Sequence, residues 1–133
     1  MAHPQMFEDD DPYLQRLRAI ALADPGADEK VSHGRPAFFT AKVFAYFGGS
    51  LKVDGEWEQH GRSVIVLTDA DERAALVADD RFFVPAYLGP SGWVGLDLEP
   101  LGDDWSEVEE LVESSYRATD GVRRVTELDA RRT

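Results

Sequence analysis

Residues 82–98 read Phe-Phe-Val-Pro-Ala-Tyr-Leu-Gly-Pro-Ser-Gly-Trp-Val-Gly-Leu-Asp-Leu, two apolar and aromatic runs around Gly89-Pro90-Ser91-Gly92. Aromatic and β-branched side chains suit a pleated surface, and glycine and proline supply turn conformations. The stretch therefore predicts a β-hairpin with a four-residue loop. In its second run Val94, Leu96 and Leu98 alternate toward one face and leave Trp93, Gly95 and Asp97 on the other. Nothing in the segment carries catalytic chemistry, so it constrains the fold before it constrains the function.

The flanking sequence supplies the remaining layers. Asp11-Pro12 is a helix opening, with aspartate at the N-cap and proline at the first helical position. Tyr13, Leu14, Leu17, Ile20 and Ala21 then follow a helical period, with Arg16 and Arg18 outside and Ala23 to Gly26 as the stop. Strands are expected near Val31 to His33, Ala37 to Thr40 and Val43 to Phe47, paired antiparallel because short turns join them. Residues 48–61 are polar and glycine-rich and predict a protruding hairpin or loop with Asp54-Gly55 as a tip. Ser63 to Thr68 is apolar on both faces, as a central strand is. Thr68 to Glu72 reads as a capping box for a short helix with Leu76 and Val77 inward. Asp103 or Asp104, with Glu107, caps a last helix that buries Trp105, Val108, Leu111, Val112, Ser115 and Tyr116. The expected fold is α+β, an antiparallel β-sheet with N- and C-terminal helices packed on one face. The other face is left for a partner or for the C-terminal tail. Residues 1–10 are expected to be disordered, 11–119 to form one domain, and 120–133 to be a tail or a short helix.

At 133 residues a chain buries roughly two thirds of its unfolded surface, which is enough for a core without staples. Cysteine is absent, which removes disulfides, thiolate metal sites and thiol nucleophiles. The N-terminus lacks the basic and apolar regions of a signal peptide, and no apolar run approaches the ~20 residues of a membrane span. A cytoplasmic, monomeric protein away from membranes is expected. The net charge of −12 opposes indiscriminate binding to polyanions. It is unevenly spread: residues 30–68 carry +2, against −5 before them and −9 after them.

Catalytic constellations are missing. The histidines are His3, His33 and His60, none spaced from another as metal ligands are. His33 is the one plausible base, and a polar strand-end residue bonded to backbone explains it better. Ser91 lies in a turn without the spacing of a nucleophile elbow. Gly48-Gly49-Ser50 is not followed by a phosphate-binding helix. The acidic clusters Asp9 to Asp11, Asp69 to Glu72 and Asp103 to Glu107 sit where caps or solvated tails place acids. The expectation is a protein that is not an enzyme, with no cofactor and no metal site.

Residues 25–116 resemble the MmcQ/YjbR family of small bacterial proteins. The matching pieces are Pro25-Gly26, His33 to Phe38, Lys42 to Ala45, Phe83 to Leu88, Trp93-Val94 with Leu96 and Leu98, and Ser115-Tyr116. The resemblance implies a frataxin-like (CyaY-like), double-winged domain, and members are described as DNA-binding on the strength of that shape. Carried to this chain, it points to weak, salt-sensitive DNA binding through Lys30, His33, Arg35, Lys42, Lys52 and Arg62. The alternative is a protein or small-molecule interaction module that uses Trp57 and Trp93. Trp57, between Glu56 and Glu58, is the aromatic least easily assigned to a core, whereas Phe39, Tyr46 and Trp93 also suit sheet packing.

Overall fold

A computed structural model describes residues 5–86, 88 and 91–119. Its elements in chain order are α1 (Pro12–Ala21), β1 (Asp28–Ser32), β2 (Arg35–Phe39), β3 (Val43–Val53), β4 (Glu56–Leu67), α2 (Ala70–Val77), β5 (Phe82–Phe83), β6 (Trp93–Asp97) and α3 (Ser106–Thr119). A 3-10 turn over Glu99–Leu101 precedes α3. The six strands form one sheet in the order β1-β2-β3-β4-β6-β5, every neighbouring pair antiparallel. The expected α+β class is what the chain adopts.

Two left-handed turns set the first half of the sheet. His33 and Gly34 have φ of 51° and 83°, and Asp54 and Gly55 have φ of 50° and 83°. Two-residue turns of this hand match the twist of the strands they join, and asparagine, aspartate and glycine tolerate them best. His33 is therefore a turn residue between Ser32 and Arg35, not part of a strand. Asp54-Gly55 is the tip expected from the sequence, and the polar stretch before and after it is regular strand, with Val53 opposite Glu56.

α1 begins as its sequence dictates, the Asp11 carboxylate accepting the Tyr13 N–H at 2.9 Å. α1 and α3 cover one face of the sheet. Leu14, Leu17 and Ala21 from α1 meet Val108, Leu111, Val112 and Tyr116 from α3 over Phe38, Phe44, Phe47, Val64, Val66, Val94 and Leu96. Truncating one buried aromatic of such a core costs roughly 3–5 kcal/mol. Two polar side chains of α3 stitch it to the chain beneath. The Ser115 hydroxyl donates to Phe44 O at 2.5 Å and accepts the Leu67 N–H at 2.9 Å, and the Tyr116 hydroxyl donates to Pro25 O at 2.9 Å. Among the described residues no helix covers the opposite sheet face.

Three expectations need correction. The strand before the Gly89 to Gly92 segment is only Phe82–Phe83, paired to Leu96 and Gly95, so the hairpin connection is longer than four residues; Gly89 and Pro90 lie outside the described residues. Val77 is exposed and only Leu76 of α2 packs on the core. Asp104 bonds the Ser106 N–H at 3.1 Å and hydroxyl at 2.7 Å, while Glu107 turns away to Arg81 at 2.8 Å instead of closing a capping box. Residues 5–10 lie against the domain: Met6 N–H donates to Gly34 O at 2.8 Å, Phe7 packs on the core, and Asp9 pairs with Arg18 at 2.9 Å. Phe7 and Arg18 supply partners that the acidic run alone does not reveal. The first four residues and the expected tail, 120–133, lie outside the described residues.

Candidate functional site

A cleft of about 580 Å³ opens on the helix-free sheet face, within the ~300–1,000 Å³ of small-ligand sites. The strand register builds it. Ala37, Tyr46, Ile65, Gly95 and Phe83 lie in one row across β2, β3, β4, β6 and β5. Tyr46 and Ile65 of that row line the cleft, and Arg35 enters from the start of β2. Pro85, Ala86 and Leu88 form the far wall, held by the Ala86 N–H, which donates to Ser50 O at 2.8 Å. Met6, whose N–H donates to Gly34 O at 2.8 Å, also lines it.

Glycines make the room. A Cβ on Gly49 would lie 2.9 Å from Ile65 Cδ1, and Gly48, at φ 86°, admits the Arg35 guanidinium where a Cβ would collide with its Nη1. Arg35 is half-buried, and its Nη2 donates to Gln59 Oε1 at 2.8 Å. Among the described residues no carboxylate pairs with it. Burial depresses its pKa below the ordinary value, yet a guanidinium stays charged. Burial also raises the Tyr46 phenol, which is therefore neutral at pH 7. Among the described residues the cleft's lining includes no aspartate and no glutamate, in a chain with 26 acids.

The other basic residues expected to bind nucleic acid are dispersed. Lys30, on exposed β1, lies over the Phe39 ring at 4.8 Å. Lys42 precedes β3 and Lys52 is near its end, ten residues on, so up to about 33 Å separates them, far beyond the ~8 Å range of charge in physiological salt. Lys52 lies opposite Trp57, its Nζ 5.7 Å from the ring, and Trp57 is 49% exposed. Arg62 is directed to the start of α1, paired with Asp11 at 2.9 Å and Glu99 at 3.4 Å and lying over the Tyr13 ring. It is thus remote in chemistry from Arg35. His33 is exposed at the cleft rim. Trp93 packs edge-on to Tyr46, ring centroids 5.4 Å apart, which places it beside the cleft.

His60 was not singled out by spacing, yet it is the most elaborately held titratable group on this face. Its Nδ1 meets Asp97 and its Nε2 meets Glu58, each at 2.8 Å, and its ring stacks on Phe83 at 4.1 Å. Burial pulls its pKa down, but the bonds and charges of the two carboxylates outweigh it and the pKa is raised. The Glu58-x-His60 alternation puts both side chains on one face, which is legible; the pairing with Asp97 is not, because it depends on the irregular register between Phe47 and Gly49. Among the described residues no three histidine or acidic side chains are grouped as a metal ion requires. A larger groove of about 710 Å³ runs along α1 and α3, where Asp24, Glu109, Glu110 and Glu113 line it together with Arg16, Ile20 and Val112.

The YjbR family model matches residues 22–118, well over half the chain and all of the sheet. No curated protein matches the sequence. No helix among the described residues is long and apolar enough to cross a membrane.

Proposed function

The chain belongs to the YjbR family, and from that membership and the cleft we propose that it is a non-enzymatic binding domain that takes a small ligand on the helix-free face of its sheet. The observation that carries this reading is the cleft itself: concave, floored by Tyr46 and Ile65, and provided with one guanidinium that no carboxylate of the described residues neutralises. That is the composition of a ligand site, mostly apolar with a few convergent polar groups. A monomer in the cytoplasm is the setting that fits. In a 15N-resolved NMR titration with a fragment mixture of organic acids, amines and neutral aromatics, the amides of Tyr46, Gly49 and Ser50 shift. Hits confined to α1 and α3, or no hits at all, would refute the assignment.

DNA binding is the second reading, favoured by the exposure of Lys30, Lys42 and Lys52, none of which is ion-paired among the described residues. Their separation predicts few simultaneous phosphate contacts and a shallow salt slope. Fluorescence anisotropy with a labelled duplex at low salt decides it: DNA binding requires that Lys30→Ala with Lys42→Ala weaken the complex. A protein partner through Trp57 is a different outcome, read as a pulled-down partner lost in Trp57→Ala.

A further inference from the structure

We infer that the cleft takes a small amphiphilic anion, its apolar body seated on Tyr46 and Ile65 and its carboxylate, sulfonate or phosphate group held by Arg35. This rests on the helix-free face being the binding face and adds the ligand's charge and shape. The charge follows from what surrounds Arg35. Among the described residues Arg18 pairs with Asp9 and Glu29, Arg62 with Asp11 and Glu99, Arg81 with Asp79 and Glu107, and Arg117 with Glu113, while Arg16 donates to the Asp103 carbonyl on the acidic helix side. Arg35 has the Gln59 amide oxygen instead, at 2.8 Å, and faces a cleft with no acid among its described lining residues.

A planar guanidinium has five donors in a fork that matches two oxygens of an anion. Half-buried, it gains more from such a ligand than an exposed lysine would. The body follows from Pro85, Ala86 and Leu88 opposite Tyr46 and Ile65, an apolar stretch beside which Ser32, His33 and Ser50 supply neutral polar groups.

The test uses two dyes of one ring system, 8-anilinonaphthalene-1-sulfonate and the uncharged N-phenyl-1-naphthylamine, titrated by fluorescence against the full chain. The sulfonate should bind at least tenfold more tightly. Arg35→Met should remove that preference and leave the neutral dye unchanged. Gln59→Glu, an exposed change that gives Arg35 an internal carboxylate, should weaken the sulfonate severalfold without disturbing the fold. Repeating the titration with 1-naphthoate and 1-naphthyl phosphate distinguishes a carboxylate ligand from a phosphate one. Equal affinity for the two dyes, or a preference that survives both variants, overturns the inference. If the neutral dye still shifts the Tyr46 and Ser50 amides, the binding face stands and only the anion falls; if neither dye moves them, both fall.

Discussion

Arg35 and Gly48 share one volume: the guanidinium Nη1 occupies the place where a Cβ on Gly48 would go, and Gly48 stands at φ 86°. The side chain that charges the cleft therefore depends on a glycine thirteen positions later. Gly48→Ala must adopt a left-handed backbone that costs roughly 1–2 kcal/mol, and it meets Gly61 O at 3.0 Å as well. Urea denaturation of Gly48→Ala should show a loss of about 1–3 kcal/mol. A loss below ~0.5 kcal/mol, the range of ordinary surface changes, would mean that the guanidinium does not lie there.

Gly95 and Phe83 are related in the same way on the neighbouring strands. A Cβ on Gly95 would enter the Phe83 ring, which itself stacks on His60. Gly95→Ala should cost about 1–3 kcal/mol as an overpacked site. In a Phe83→Leu background the same change should cost clearly less, a coupling that a double-mutant cycle measures. Equal costs in both backgrounds would place the ring elsewhere.

Alternation and helical period reveal which residues are buried, but not which distant residues they meet. Val94, Leu96 and Leu98 are buried as their alternation predicts, and so is the stripe from Trp105 to Tyr116. Asp54-Gly55 turns because those residues tolerate positive φ. The cleft was hidden for a different reason. Arg35 and Arg62 look alike in a charge count, yet β-register sends one to the helix-free face and the other to α1. The irregular register at Phe38/Phe39 and Phe47/Gly49 shifts which residues face one another, and a shift of one position changes the face of every later side chain. Pairing across the sheet, and so the convergence of Arg35, Tyr46 and Ile65, depends on those irregularities.

Ser115 joins two strands from the helix that covers them. Replacing it with alanine leaves the Phe44 carbonyl and the Leu67 N–H without their partner in a region closed to water. An unsatisfied buried group costs about 1–3 kcal/mol. Ser115→Ala should lose that much in urea, and hydrogen exchange of the Leu67 amide should accelerate. Unchanged protection of that amide would show that the hydroxyl is not its acceptor.

The His60 ring, between Asp97 and Glu58 at 2.8 Å each, makes stability depend on pH. Burial lowers its pKa and the two carboxylates raise it further than burial lowers it, so its folded value lies above the unfolded ~6.5. A group of this kind contributes stability that is fully present below the unfolded pKa, because there it is protonated in both states and only the folded state offers the carboxylates. As pH rises through the folded pKa, the imidazolium loses its proton and the contribution disappears. The urea midpoint should therefore fall as pH is raised from 6 through the folded pKa. His60→Gln should flatten that part of the profile while leaving acid denaturation by other carboxylates in place. The direct check is the NMR titration of the His60 ring in the folded protein. A midpoint below ~6.5 would show that burial, not Asp97 and Glu58, governs this side chain, and the wild-type urea midpoint would then rise with pH through that range where the variant's does not.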